Sequence, residues 1–229
     1  MNRLIKPLFS AILVLISTHA LSRNIEWAGA EWQIREGSGH PCASDIYDSD
    51  GIWIDDRGWL HLRLRQLASG KFACVEMRSL KRFGFGHYRF DVSGPIGSVD
   101  PNVVLGLFFY PPKDVGADGT NEIDVEIARW GRENAPQVNY TVWNRSTKGN
   151  RHREYHVPES AEQANFEIDW SADRVQWLSS FHPASPITYK GNIAESEQFV
   201  ILNLWLFKSP RPSDGREVEF VIKSMKKND

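Results

Sequence analysis

The chain has 229 residues, 41% of them hydrophobic and 12% aromatic, with 27 Lys and Arg against 29 Asp and Glu for a net charge of −2. That length and apolar content suit one domain with a real core. The slight acidity excludes the strongly basic face that a nucleic-acid partner requires.

In chain order, residues 1–22 stand apart from the rest. Met1 to Lys6 carries Arg3 and Lys6 with no acid, Leu8 to Ile16 is almost wholly apolar, and Ala20 and Ser22 supply the small residues of a cleavage site. The apolar run is too short to span a membrane, so it reads as a secretory signal peptide and not as a stable anchor. Residues 23–229 are then expected to form a single exported domain, periplasmic or extracellular. Cys42 and Cys74 both fall in that part. In an exported chain an even pair reads as a disulfide rather than a metal or redox site, with two buried thiols as the alternative.

Short alternating segments follow. Gly58 to Arg65 sets Leu60, Leu62 and Leu64 against His61, Arg63 and Arg65, and His87 to Val92 alternates likewise with Tyr88, Phe90 and Val92 inward. Period two marks half-buried strands. Val103 to Tyr110 is a continuous apolar run, fit for a central strand. Gln137 to Trp143 alternates again, and Asn165 to Trp170, Asp173 to Leu178, Phe199 to Leu206 and Glu217 to Ile222 complete the set. Turn signals such as Asp55-Asp56-Arg57-Gly58, Ser69-Gly70 and Ala117-Asp118-Gly119 separate them. Neither convincing helix nor internal repeat is visible. The expected class is all-β, a sandwich or jelly roll of two stacked antiparallel sheets.

The segment Asn121-Glu122-Ile123-Asp124-Val125-Glu126-Ile127 carries the chemistry. As a strand it puts Glu122, Asp124 and Glu126 on one face and the β-branched residues on the other. As a helix it would turn Asp124 away from both glutamates. Three carboxylates on one face repel, which disfavours folding. Glycosidases use such groups in pairs, one as nucleophile and one as proton donor, about 5–5.5 Å apart in retaining enzymes. The Cα atoms of Glu122 and Glu126 would be about 13 Å apart along a strand, a gap that two long side chains on a concave sheet can largely close. Asp124 between them would share a proton and hold the nucleophile, and the neighbouring charges would raise the acid's pKa. A solvated acidic face and a calcium site are the alternatives.

Taken with its surroundings, the pentad resembles glycoside hydrolase family 16, and most of all its bacterial lichenases. The ordered likeness comprises Lys71-Phe72-Ala73-Cys74-Val75-Glu76-Met77-Arg78-Ser79, Phe83-Gly84-Phe85-Gly86-His87-Tyr88, Glu122 to Glu126, and Val138-Asn139-Tyr140. It continues through Asp169-Trp170, Asp173-Arg174-Val175-Gln176-Trp177 and Leu202-Asn203-Leu204-Trp205. The resemblance implies a jelly roll with a cleft across the concave sheet. It also implies Glu122 as nucleophile, Asp124 as its helper and Glu126 as acid/base. It matches Cys42 and Cys74 to the disulfide of lichenases. It implies substrate contacts from Arg78, Phe108, Tyr110, Asn139, Asn203 and Trp205. The Asn203–Trp205 pair also shares one strand face, with Leu202, Leu204 and Leu206 behind; a Trp face suits a sugar and an Asn its hydroxyls. A core position remains the alternative for Trp205, and for Phe108 and Tyr110, whose run is apolar on both faces.

The chain departs from the lichenase pattern at several points. Thr120-Asn121 stands where a Trp is usual, Thr141 replaces a cleft tyrosine, and Leu178-Ser179-Ser180-Phe181 replaces an Asp-Gly turn. The final strand lacks the aspartate of the family's calcium site. Arg129 and Trp130 are read either as remaking part of the cleft or as a surface pair. Asn139-Tyr140-Thr141 and Asn144-Arg145-Ser146 are sequons read as chance, since a glycan on Asn139 would block the cleft. His152, His156 and His182 lack metal-ligand spacing. The expectation is a cofactor-free, metal-free monomer that cleaves a β-linked, glucan-type polysaccharide internally with retention. A transglycosylase of the same chemistry and a lectin-like binder on the same fold are the other readings.

Overall fold

Apolar and polar residues alternate along most of the chain, and the computed structural model, which describes residues 23–147, 149–181 and 186–228, turns that alternation into two sheets. The signal-peptide reading of residues 1–22, and His182, lie outside the described residues. The strands in chain order are β1 (Asn24–Trp27), β2 (Ala30–Ile34), β3 (Ile52–Ile54), β4 (Leu60–Gln66), β5 (Phe72–Ala73), β6 (Val75–Ser79), β7 (Gly86–Ser93) and β8 (Val103–Tyr110). Then come β9 (Ile123–Ala128), β10 (Val138–Trp143), β11 (Asn150–Tyr155), β12 (Gln163–Trp170), β13 (Arg174–Ser179), β14 (Ile187–Lys190), β15 (Phe199–Leu206) and β16 (Val218–Asn228).

One sheet has the order β1-β2-β6-β15-β8-β9-β10-β11, the other β14-β13-β12-β7-β16-β4-β3 with β5 added to β4. Neighbouring strands run antiparallel throughout, including β8 against β15 and β9. Among the described residues no helix is long and apolar enough to cross a membrane.

The core fills the space between the sheets. Leu105, Leu107 and Phe109 of β8, with Ile123, Val125 and Ile127 of β9, face Tyr88 and Phe90 of β7 and Phe166, Ile168 and Trp170 of β12, all fully buried or nearly so. Rings interlock across the gap: Phe109 meets Tyr88 at 4.7 Å and Trp170 at 5.3 Å between centroids. Each such buried side chain contributes about 1.5–3 kcal/mol. The same packing fixes the register, because a one-residue slip would turn every core residue of β9 outward and every acid inward.

The apolar run Val103–Tyr110 is a central strand, as its composition implies. Several strands carry no such signal. β11 (NRHREY) is exposed along nearly its whole length and owes its place to pairing with β10. β16 continues well beyond Ile222 because a bulge between Ile222 and Ser224 resets its register on β7; that bulge also breaks the sequence periodicity.

Cys42 and Cys74 are disulfide-bonded, with Cα atoms 6.1 Å apart and a separation of 32 positions in sequence. The bond fastens the loop between β2 and β3 to the start of β6. Closing a loop of that length stabilises the fold by about 3–4 kcal/mol in the chain-entropy account. Replacing both cysteines by serine should therefore lower the melting temperature by about 10 °C, read by calorimetry. A melting point unmoved by the replacement, or by reductant, would show that the loop is held by other contacts.

Candidate active site

Strand β9 and the residue before it place the three acids. Ile123, Val125 and Ile127 are fully buried, so Glu122, Asp124 and Glu126 must project from the sheet's outer face. The start of the strand is fixed at Asn121, which has φ 62°, a left-handed conformation that Asn tolerates better than most residues. Its carbonyl accepts from Gln198 Nε2 at 2.7 Å, and its Nδ2 donates to the Arg145 carbonyl at 3.0 Å. The Trp143 N–H then donates to the Glu122 carbonyl at 2.8 Å.

Around the acids lies a trough of about 700 Å³. Its floor crosses five strands. One cross-strand row runs Glu126, Gly106, Asn203 and Glu76, and the next runs Asp124, Phe108, Ile201, Arg78 and Gln33. Gly106 keeps the space beside Glu126 open: a Cβ there would come within 2.5 Å of Asn203 Oδ1 and 3.1 Å of the Phe108 ring. At the far side the loop held by the disulfide contributes Glu36, His40 and Pro41 to the wall.

Asp124 is 3% exposed and sits in the floor between the glutamates. Trp143 Nε1 donates to its Oδ2 at 3.0 Å. Its carboxyl is also hydrogen-bonded to Glu122, a contact that raises the pKa of Asp124 and lowers that of Glu122. The contact thus favours the neutral form of Asp124 and the ionised form of Glu122. Burial raises the pKa of Asp124 furthest, and the charges of Glu122 and Glu126 add to the effect. Among the described residues Oδ1 meets no hydrogen-bond donor.

Burial is also the main cause for both glutamates. It pushes Glu122 up to about 7, against the Asp124 hydrogen bond and with help from the Asp118 charge. Glu126 is pushed up to about 8 by burial and by the Glu122 charge. The sequence suggests neighbouring charge as the cause; desolvation turns out to be the larger one. The result is a site that holds both a carboxylate and a carboxylic acid near neutral pH. Among the described residues no group of three or more His, Cys, Asp or Glu is placed to hold a metal ion.

Of the residues read as cleft contacts, Arg78, Phe108, Tyr110, Asn203 and Trp205 all line the trough beside Glu122 and Glu126. Phe108 and Tyr110 face it, while Phe109 between them faces the core. Asn139 does not line it. It is fully buried, with Nδ2 on the Ala128 carbonyl at 2.9 Å and Oδ1 accepting from Trp130 Nε1 at 3.0 Å. Its face is the expected one, but the Trp130 indole covers it. Trp130 lies 6.2 Å from Trp205 and 5.2 Å from Phe207, whereas Arg129 turns away to pair with Glu159 at 2.7 Å. The buried Asn139 leaves no room for a glycan.

Sequence reading passed over Glu76, Gln33, Arg35 and Asp118, all of which line the trough. Glu76 accepts from Arg35 Nη1 at 3.0 Å and from Asn203 Nδ2 at 3.3 Å. Period two would have paired Glu76 with Arg78, and Gln33 with Arg35, had β2 and β6 been recognised as strands. Asp118 sits in a loop and carries no periodic signal.

The family model described as "Glycosyl hydrolases family 16" matches residues 45–199. No curated protein matches the sequence. Among solved structures the chain is similar to the Bacillus licheniformis β-glucanase (TM-score 0.68, 17% identity, covering 86% of this chain and 92% of that one). It is similar too to a laminarinase from Flavobacterium sp. UMI-01 (0.68, 16%, 86% and 93%). A Bacteroides ovatus family 16 protein of a mixed-linkage glucan locus, in complex with a G4G4G3G product, gives 0.67, 14%, 86% and 94%. At these identities the likeness establishes the fold alone.

A carboxyl whose pKa is raised on folding favours the native state less as pH rises. For Glu126 the loss begins near the ordinary carboxylate value of 4.5 and is complete above about 8. Glu126→Gln should therefore melt higher than the parent at pH 8, with the difference vanishing near pH 4. Equal melting points across that range would show that Glu126 is not held out of water.

Proposed function

The chain belongs to family 16 of the glycosyl hydrolases and is a glycosidase, and from that premise we propose that it is a retaining, endo-acting β-glucanase exported from the cell. The observation that carries the reading is the trough itself, where Glu122 and Glu126 both line the wall while Asp124 is buried between them.

Glu122 is the nucleophile. The contact with Asp124 favours its ionised form, and as a carboxylate it attacks the anomeric carbon. Glu126 retains a proton to higher pH and gives it to the departing glycosidic oxygen. The glycosyl–Glu122 ester then forms, and Glu126, now a carboxylate, takes a proton from the water that hydrolyses it. Asp124 keeps its proton on the Glu122 side and, held by Trp143, stops the nucleophile from rotating out of line. As Glu122 becomes an ester and loses charge, the push on Glu126 weakens, which eases its second role as base.

Endo action is supported by a floor that crosses five strands, which suits the interior of a long chain. A neutral glucan is supported by the lining. Phe108, Tyr110 and Trp205 offer ring faces, Asn203 offers an amide, and one of the two arginines, Arg35, is already paired with Glu76. The glucans named for the structural relatives, mixed-linkage and laminarin, are the first substrates to try. Export is supported by the Cys42–Cys74 disulfide, which persists in oxidising compartments, together with the leader-like residues 1–22.

Proton NMR during hydrolysis of a β-glucan should show the β-anomer of the new reducing end first, followed by mutarotation. The α-anomer first would contradict the assignment of Glu122. Glu126→Gln should lower kcat/KM by about 10²–10⁴-fold, and Glu122→Gln should lower it to background, both with unchanged circular dichroism.

A further inference from the structure

Beside Glu122 the trough holds a further carboxylate that the proposed chemistry does not use. Asp118 lies in the loop 111–121 between β8 and β9 and is exposed at the trough rim. The loop is fastened at both ends. Asp114 forms a two-point pair with Arg82 at 2.9 and 2.7 Å, and Asn121 is locked as described above. Gly119 has φ 77°, and a Cβ there would come to 3.9 Å from the indole of Trp143, the ring that holds Asp124. At the tip, the Tyr110 hydroxyl donates to Asp118 Oδ1 at 2.8 Å. Among the described residues Asp118 has no ion-pair partner.

That arrangement leaves Asp118 Oδ2 and the lone pair of the Tyr110 oxygen able to accept, on two residues that line the trough. Both want hydroxyl donors. Burial and the nearby charges of Asp118, Glu122 and Glu76 hold the Tyr110 phenol protonated, so it keeps donating to Asp118. The charged groups around this corner are Glu122 just before β9, Asp124 and Glu126 on β9, Glu76 and Arg78 on β6, and Arg35 just after β2; of the cations, Arg35 is spent on Glu76.

We propose that Asp118 is a substrate-contacting residue that, with the Tyr110 hydroxyl, clamps the hydroxyls of a neutral sugar against Glu122 and turns anionic sugars away from the reacting end of the trough. This rests on the reading of Glu122 as nucleophile. A sugar carrying a carboxylate or sulfate there loses a donor to Asp118 and meets its charge. The clamp has a second consequence: the Asp118 charge raises the pH at which Glu122 ionises, so it sets part of the acid limit of activity.

Asp118→Asn keeps an acceptor for Tyr110 and removes the charge; Asp118→Ala removes both. Kinetics on a neutral β-glucan and on its carboxymethylated form separate the effects. For the neutral polymer, KM should rise about fivefold in Asp118→Asn and about tenfold or more in Asp118→Ala, with kcat within about twofold. The preference for neutral over carboxymethylated polymer should fall several-fold in Asp118→Asn, and the acid limb of its pH–rate profile should move to lower pH. A merely structural tie to Tyr110 would leave preference and acid limb as in the parent, and that result, in variants with parental melting temperatures, overturns the proposal. Should the parent hydrolyse neither polymer, the β-glucanase reading fails on its own. Calorimetric binding of a neutral β-gluco-oligosaccharide then decides for Asp118: about tenfold weaker binding to Asp118→Ala supports the clamp, and equal affinity overturns it.

Discussion

Three carboxyl groups on one face of β9 and its leading residue, each with its pKa raised by withdrawal from water, form the constraint around which this molecule is arranged. Water would solvate three such charges at little cost; the sandwich withholds it. Ile123, Val125 and Ile127 bind the strand into the core from behind, and the cross-strand neighbours Phe108 and Thr141 flank Asp124 in front. The strand is central in its sheet, so no edge lets solvent in from the side. Burial therefore raises all three pKa values, and the Asp124–Glu122 contact pushes those two in opposite directions. A proton donor and a nucleophile emerge from chemically similar residues because their surroundings differ.

The features that serve this constraint are modest in themselves. A left-handed Asn121 starts the strand, Gly106 leaves a gap where any side chain would close one, and the Trp143 indole pins the buried acid. Each sacrifices something locally, in backbone freedom or in packing, for the geometry at the trough. The disulfide works at a distance, fixing the loop that carries His40 and Pro41 to the far wall.

Legibility in the sequence followed the strength of the periodic signal. Leu60-Leu62-Leu64, Tyr88-Phe90-Val92 and the acids of β9 alternate without interruption, and their strands and faces could be read directly. β8 was legible as central, but an apolar run on both faces could not say whether Phe108 and Tyr110 faced core or trough; only the stacking of the second sheet decides that. β2 is short and β11 polar, so long-range pairing and not local pattern creates them. Asn139 shows the complementary failure. Its strand face was correct, yet Trp130, brought over it by a turn at φ 53°, removes it from the trough. Such coverage depends on loops, where one-dimensional pattern carries little. Asp118 was hidden for the same reason.

The most direct measurement is a carbon-13 NMR titration of the Asp and Glu side-chain carboxyls in the intact protein, assigned with single Asn and Gln replacements. The expected result is that Asp124 remains protonated through neutral pH, while Glu122 and Glu126 titrate well above ordinary glutamates, Glu122 first. If all three were fully ionised by pH 5, the trough would be a wet acidic surface, and the division of protons on which the proposed catalysis depends would not exist.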